Sequence, residues 1–350
     1  LIDVRATCGA DLPQLSELFA QRFGHPLSAE EWRWKYEQLP GLGRSRVAVG
    51  PGGALLAHAG ALRLPARWRG GEGGIWQLVD FVAAAGGRGL SPPLVELGRR
   101  LLGGLPGAAD APWIFGFPSE RHFRLGERVF GYRPLATVEV LAGPLPRPAG
   151  GAEEALVAAA RIESGDSCGD WAEEAWEACG VPGVRRSRDF LNWRYHARPA
   201  RYYRFYRLPV PSAGEAGRSG GGGGGANPSG AGGSGSGARR AGATGDGGGA
   251  CGLAVFGFVG EEAWAAELWL PASGEWYAAM LAVAADLRAS GLRSWRFWPP
   301  PAAGGPLLGA LGLRPTGERR SIGCRGRPGD PDPAAAAADF YYAMGDYDLV

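Results

Sequence analysis

Apolar positions along the chain switch between a period of two and a period near 3.6, and the switches lay out a run of alternating strands and helices. Residues 1–4 alternate like a short strand. Asp11, with Gln14 three residues on, has the form of a capping box ahead of a helix whose Leu15, Leu18, Phe19 and Phe23 make one apolar stripe. Ser28 with Glu31 predicts the start of a second helix. Residues 46–49 and 54–64 read as strands joined by Gly50-Pro51-Gly52-Gly53, and residues 75–83 read as a more apolar strand. Ser91-Pro92-Pro93 then opens a helix with Leu94, Val95, Leu97 and Leu101 turned inward. A strand over 112–118, a short helix over 119–128 and a strand over 132–141 complete the order β-α-α-β-β-β-α-β-α-β. The Pro- and Gly-rich residues 144–151 predict a linker. Beyond it, Asp170 with Glu173 and then Ser187 open two helices. Residues 201–208, 251–259, 263–270 and 292–298 read as strands, and 275–289 as a helix.

The same landmarks occur twice. Trp34-Lys35-Tyr36 with Pro40 returns 159 residues later as Trp193-Arg194-Tyr195 with Pro199, and that offset also carries Asp11 onto Asp170 and Ser28 onto Ser187. Trp113-x-Phe115-x-x-Pro118 answers to Trp295-x-Phe297-x-x-Pro300, and Gly131-Tyr132-Arg133-Pro134 to Gly312-Leu313-Arg314-Pro315, at offsets of 182 and 181. The register slips across residues 212–249, a tract dominated by Gly, Ser, Ala and Arg that cannot bury enough apolar area to offset its ordering entropy. The expectation is one ancestral α/β fold, duplicated: residues 1–143, a linker over 144–151, and residues 152–350 carrying a disordered insertion over 212–249. Trp34 and Trp193 are expected in the core, wedging helix on sheet.

Composition narrows the function. With 37 basic and 35 acidic residues the net charge is +2, which gives no electrostatic case for nucleic acid. Lys35 is the one lysine, an Arg bias expected of a GC-rich coding sequence. Cys8, Cys168, Cys179, Cys251 and Cys324 are scattered, with no Cys-x-x-Cys pair, so neither a disulfide framework nor a zinc site is expected. The histidines His25, His58, His122 and His196 are too far apart for a helical metal pair. No apolar run reaches the ~20 residues of a membrane span. The start at Leu1 has the look of a trimmed chain without a signal segment, and cytoplasm is the expected compartment.

The chemistry is expected where the strand over 75–83 meets Gly86-Gly87-Arg88-Gly89 and the helix opened by Ser91. Converging backbone N–H groups and the helix dipole make that turn an anion cradle, with phosphate as its natural guest. A dinucleotide fold would need Gly-x-Gly-x-x-Gly, but the run ends at Pro92; a P-loop would need Gly-Lys-Ser/Thr, and no lysine is there.

At these residues the chain resembles the GNAT N-acyltransferase superfamily, whose Arg/Gln-x-x-Gly-x-Gly/Ala turn holds the coenzyme A pyrophosphate. The matching run is Gly86-Gly87-Arg88-Gly89-Leu90-Ser91, with Gly86 in place of the leading Arg/Gln and Ser91 in place of the closing Gly/Ala. The element order and the helix ending at Gly131-Tyr132 are similar as well. The resemblance implies two tandem GNAT-like domains, each a mixed central sheet flanked by helices. It also implies an acyl-CoA, acetyl-CoA foremost, as cosubstrate without a metal, and direct attack of an amine on the thioester. The pantetheine arm would lie where the strands over 75–83 and 112–118 splay apart. Phe81, Val82 and the loop Gly86, Gly87, Arg88, Gly89, Leu90 and Ser91 would hold the cosubstrate, a backbone amide near Val82 stabilising the oxyanion. Many relatives use a tyrosine on the fourth helix as acid; Gly126 stands at the aligned position, and Tyr132 nearby is the substitute. Asp80 and His122 are the candidate bases.

In the second copy Pro271-Ala272-Ser273-Gly274-Glu275-Trp276 puts a carboxylate and an indole where the glycines were, so no pyrophosphate is expected there. The tail Tyr341-Tyr342-Ala343-Met344-Gly345-Asp346-Tyr347-Asp348 reads as a last strand or as a segment folding back to a substrate cleft. Two other functions stay open: an idle tandem module that binds a metabolite or partner, and acyl transfer to a peptide or cell-wall precursor. The acceptor, a small-molecule or peptide amine, and the oligomeric state are not legible.

Overall fold

The computed structural model describes residues 2–68, 71–84, 92–106, 113–209, 251–271, 276–299, 305–326 and 340–347. The loop Gly86 to Ser91 and the insertion over 212–249 lie outside the described residues. The first half contains β1 (Asp3–Ala6), α1 (Leu12–Phe23), α2 (Ala29–Tyr36), β2 (Leu42–Val49), β3 (Leu55–Trp68), β4 (Gly71–Ala83), α3 (Pro92–Gly103), β5 (Trp113–Gly116), α4 (Glu120–Phe130) and β6 (Arg133–Pro144). This is the order the periodicity predicts. The second half contains α5 (Gly151–Ala159), β7 (Glu163–Gly165), α6 (Trp171–Cys179), β8 (Gly183–Val184), α7 (Arg188–Leu191), β9 (Tyr203–Pro209), β10 (Cys251–Val259), β11 (Glu262–Trp269), α8 (Trp276–Ala289), β12 (Ser294–Phe297), α9 (Gly305–Ala310) and β13 (Arg314–Gly326). Apart from α5 and β8 it repeats the first. A five-residue π-helical turn over Asn192–His196 continues α7 and carries the second Trp-Arg-Tyr motif.

The two halves share one sheet in the order β1-β2-β3-β4-β5-β13-β6-β12-β11-β10-β9-β7. Each half lends its last strand to the other: β13 pairs antiparallel with β5, and β6 with β12. The two lent strands pair with each other through the centre, with Val138 opposite Arg320. The halves are therefore not two closed sheets side by side. One core covers a whole face, joining Trp34, Val79 and Phe115 to Trp193, Val255 and Trp269. On the other face α3 and α4 close one core against the first half, and α8 and α9 a second against the other. No helix among the described residues is long and apolar enough to cross a membrane.

The repeated tryptophans meet at the pseudo-twofold axis. Their rings stack with centroids 5.1 Å apart, and each indole N–H donates to the other's backbone carbonyl, Trp34 to Trp193 at 2.7 Å and Trp193 to Trp34 at 2.9 Å. They are buried as expected, but they wedge copy against copy rather than helix against sheet.

Ser28 and Ser187 cap their helices through the hydroxyl as the sequence predicts, and Ser119, expected as the first residue of its helix, caps α4 in the same way. The two Asp caps do not form. Arg5 grips both oxygens of Asp11 at 2.7 Å, and Gln14 instead accepts from the Leu55 amide across the β2–β3 turn. Asp170 likewise takes the guanidinium of Arg188 at 2.8 Å. Charge-assisted partners hold both carboxylates, and Asp11 also takes the Cys8 amide at 2.8 Å, ahead of the helix rather than within its first turn. The tail is not a last strand; residues 340–347 fold back as a buried strap, with Phe340 against Trp113, Tyr342 against Phe115 and Tyr347 against Phe117.

Candidate functional site

β4 and β5 are parallel neighbours for only three residue pairs, Trp76 to Ile114 through Leu78 to Gly116, yet β4 runs on to Ala83. Residues 79–83 thus have β3 on one side and no paired strand on the other among the described residues. A β-bulge breaks the β3 ladder in this stretch: Gly60 faces Val79, but His58 faces Val82. The extra residue, Asp80, sits at a positive φ of 56°, a conformation that Asp adopts more readily than most residues. Because a bulge lets two successive side chains face the same way, Asp80 joins Val79 on the α2 face, while Phe81 and Ala83 turn to the α3 face. The Ala84 amide donates to the Leu56 carbonyl, so antiparallel alternation points the polar groups of Val82 at β3 and those of Phe81 and Ala83 at the open side. The Phe81 N–H is therefore the amide beside the bulge that faces the opening, one residue from Val82.

Three elements hold the bulge. From α2, Lys35 Nζ lies 3.1 and 3.2 Å from the two Asp80 oxygens, and the Tyr36 hydroxyl donates to one of them at 2.6 Å. The Lys35 and Asp80 side chains are 3% and 5% exposed. From β3, His58 Nδ1 lies 3.1 Å from the Asp80 carbonyl. Burial pulls the His58 pKa down, so the imidazole is neutral with its proton on Nδ1, the nitrogen that must donate. From α1, Arg22 Nε donates to the Ala83 carbonyl at 2.7 Å, at the end of the open edge.

The other two candidates stand elsewhere around this edge. His122 is in the first turn of α4, half-buried; burial, with Arg121 and Arg22 nearby, holds its pKa below the ordinary histidine value. Tyr132 follows α4, and its ring occupies the space a side chain at Gly126 would fill. Burial pushes its phenol up, so it stays protonated through the physiological range. Among the described residues no hydrogen bond links Asp80, His122 and Tyr132. Lys35, Tyr36 and His58 were not singled out as site residues from sequence; the one usable signal was a lone lysine in an arginine-rich chain.

The second half repeats the architecture with different contents. β11 pairs in parallel with β12 only from Glu262 to Trp264 and carries a bulge after Ala265. Tyr195, the counterpart of Tyr36, donates to Glu267 at 2.7 Å. There Arg186 supplies the cation, 3.0 Å from Glu267 and 2.7 Å from Asp346 of the strap. The counterpart of Lys35, Arg194, reaches the Gly345 carbonyl at 2.9 Å. The strap abuts this bulge so tightly that a Cβ on Gly345 would lie 2.9 Å from the Ala266 carbonyl. Trp276, which follows the altered loop, is buried with its indole on the Pro271 carbonyl.

No family model matches the chain, and no curated protein matches it in sequence. Solved structures do. A tandem GNAT protein from the clavulanic acid biosynthesis pathway superposes with a TM-score of 0.55 over 94% of this chain and 100% of that one, at 13% identity. The chain has a tandem GNAT fold. A GCN5-related N-acetyltransferase from Anabaena variabilis gives a TM-score of 0.59 at 10% identity over 93% of this chain and 72% of its own. Saccharomyces cerevisiae N-myristoyltransferase, solved with bound myristoyl-CoA, gives 0.55 at 10% identity over 94% of this chain and 80% of its own. In the GNAT frame the unpaired edge of β4 stands where the resemblance puts the gap between the strands over 75–83 and 112–118. Among the described residues no cluster of three or more metal-ligating side chains occurs.

Proposed function

We propose that this chain is an acyl-CoA-dependent N-acyltransferase, with acetyl-CoA as donor, a primary amine as acceptor, and the first half as the catalytic half. The observation that carries the reading is the stretch of β4 from 79 to 83, which leaves β5 after Leu78 and is bulged and braced by three elements. A pantetheine arm has amide groups to pair with such an edge, and the Phe81 N–H on its open side fits that role. Gly86, Gly87, Arg88, Gly89, Leu90 and Ser91 would take the pyrophosphate ahead of α3, which begins at Pro92.

In this reading an amine attacks the thioester directly, the Phe81 amide next to Val82 receives the developing oxyanion, and orientation supplies much of the rate. Neutral His122 on one side and Asp80 on the other are the proton acceptors. Protonated Tyr132, standing where the helix offers only Gly126, donates to the departing thiolate. The second half supplies structure: its bulge is packed by the strap and by Arg186, Glu267 and Asp346, which leaves no comparable edge for a cosubstrate. The scattered thiols, none of them in a disulfide, fit the cytoplasm.

A second reading, a tandem module that binds without catalysing, draws on Gly86 in place of the motif Arg/Gln and on Gly126 in place of the acid. Calorimetry with acetyl-CoA separates the two. Micromolar binding that Gly89→Glu abolishes, together with thiol release on a panel of amines, supports the enzyme. No binding refutes it, and binding without turnover on any amine favours the module. Turnover confined to peptide amines would assign a peptide or cell-wall precursor as acceptor.

A further inference from the structure

Arginine fills every cationic position in this chain but one: of 37 basic residues only Lys35 is a lysine. Its counterpart in the second half is Arg194, which serves a backbone carbonyl. Charge alone does not account for the difference, because an arginine at 35 would carry the same charge and offer Asp80 a two-pronged pair. What arginine cannot do is give up a proton and act as a nucleophile. Lys35 stands where that ability matters. Its Nζ lies against both oxygens of the bulge carboxylate, and the next residue of β4 is Phe81, about 3.3 Å along the strand, whose amide faces the open edge. Amine and proton acceptor are thus in direct contact, and the residue that carries the oxyanion donor follows the acceptor in β4.

We propose that Lys35 is a self-acylation site. The inference rests on the acyltransferase reading above, since its acyl donor is the acyl-CoA placed on the β4 edge. The step balances without any further reactant. The Lys35 ammonium passes one proton to Asp80, the neutral Nζ attacks the thioester carbonyl, and the C–S bond breaks as the C–N bond forms. The second nitrogen proton goes to the thiolate, leaving the Nε-acyl amide, free coenzyme A and a protonated Asp80. Acylation removes the charge that pairs Asp80, so the carboxyl is left with the Tyr36 hydroxyl and a neutral amide where it had an ion pair. The modified and unmodified proteins accordingly differ at the very bulge that shapes the site.

The test uses the whole protein and acetyl-CoA alone, so it does not wait on the acceptor. Intact mass and peptide mapping are followed for folded protein, for protein unfolded in urea at the same acetyl-CoA concentration, and for Lys35→Arg, with calorimetry on the folded samples. The expected result is one acetyl group on Lys35 rather than on the α-amino group, gained about tenfold or more faster in folded than in unfolded protein, because a buried lysine gains rate only from the site. Lys35→Arg should bind acetyl-CoA and gain nothing. Labelling no faster in the folded state, or none at Lys35 despite acetyl-CoA binding, overturns self-acylation and leaves the acyltransferase reading standing. Absence of acetyl-CoA binding overturns both.

Discussion

Replacing Arg186 by Met tests whether the second half is held shut by its buried ion cluster. Arg186 and Glu267 are 0% exposed and Asp346 2%, so water cannot take over when the guanidinium goes. Glu267 keeps donors from Tyr195 at 2.7 Å, Trp269 at 3.0 Å and Tyr341 at 3.2 Å, whereas Asp346 keeps the Ala343 amide at 2.9 Å. The unpaired charge therefore weighs most on the strap. Removing one partner of a buried pair costs about 3–5 kcal/mol, and the retained donors of Glu267 place this variant toward the lower figure. Burial already holds the Glu267 carboxyl above its ordinary value against the opposing pull of Arg186, and losing Arg186 raises it further. A carboxyl raised in the native state keeps a proton that the unfolded chain releases. Its contribution is present below the unfolded value near 4.5 and is lost as pH rises through the native one. The penalty at pH 7 should therefore exceed that at pH 5. Urea unfolding followed by tryptophan fluorescence measures both, since Trp176 and Trp269 pack together beside the cluster. Limited proteolysis within 340–347 reports strap release. A loss under about 1 kcal/mol with no pH dependence would place the cluster in the range of surface pairs and refute the reasoning.

Trp34→Ala and Trp193→Ala should each cost about 3–5 kcal/mol in denaturant unfolding, and the double variant clearly less than the sum, because both remove the same stack. Asp80→Ala should lower thermal stability by about 3–5 kcal/mol by leaving Lys35 buried without its carboxylate, and Asp80→Asn by less, because the amide still accepts and tolerates the positive φ. His122 is held below 6.5, and as a base it works in its neutral form. In the transferase reading activity is then lost as pH falls through a value below 6.5, and His122→Gln removes that limb from the pH–rate profile.

The element order was legible because the hydrophobic period changes cleanly at each boundary, and the duplication because the aromatic anchors Trp34 and Trp193, Trp113 and Trp295 recur at core positions. The exchange of β6 and β13 was not legible. A strand's pattern fixes which face is buried but not which neighbour it joins, and Arg133-Pro134 and Arg314-Pro315 open equivalent strands in both copies. The Asp11 cap misled because Arg5, six residues back on the preceding strand, and the Cys8 amide take its carboxylate, contacts that helix periodicity does not register. At the site, sequence reached Asp80 from its place on the fourth strand. It did not reach the contacts that brace it, because Lys35 and Tyr36 are 45 and 44 residues away in the chain and read there as a core motif.

The two bulges show how one duplicated device has come to serve two ends. In the first half the carboxylate is on the extra residue just past the last regular pair, Gly60 with Val79; in the second it is one position later, past Phe256 with Ala265. That single step sets its surroundings. Asp80 meets a lysine and a tyrosine from the neighbouring helix and stays beside an unpaired strand edge. Glu267 points into a sealed interior, where Arg186 ties it to Asp346 and Gln77 of β4 holds the Asp346 carbonyl. The strap that fills the second bulge is thus anchored partly on the first half's own strand. Loosening it to reopen the second site would slacken β4 as well, which couples the closed bulge to the open one through the shared sheet.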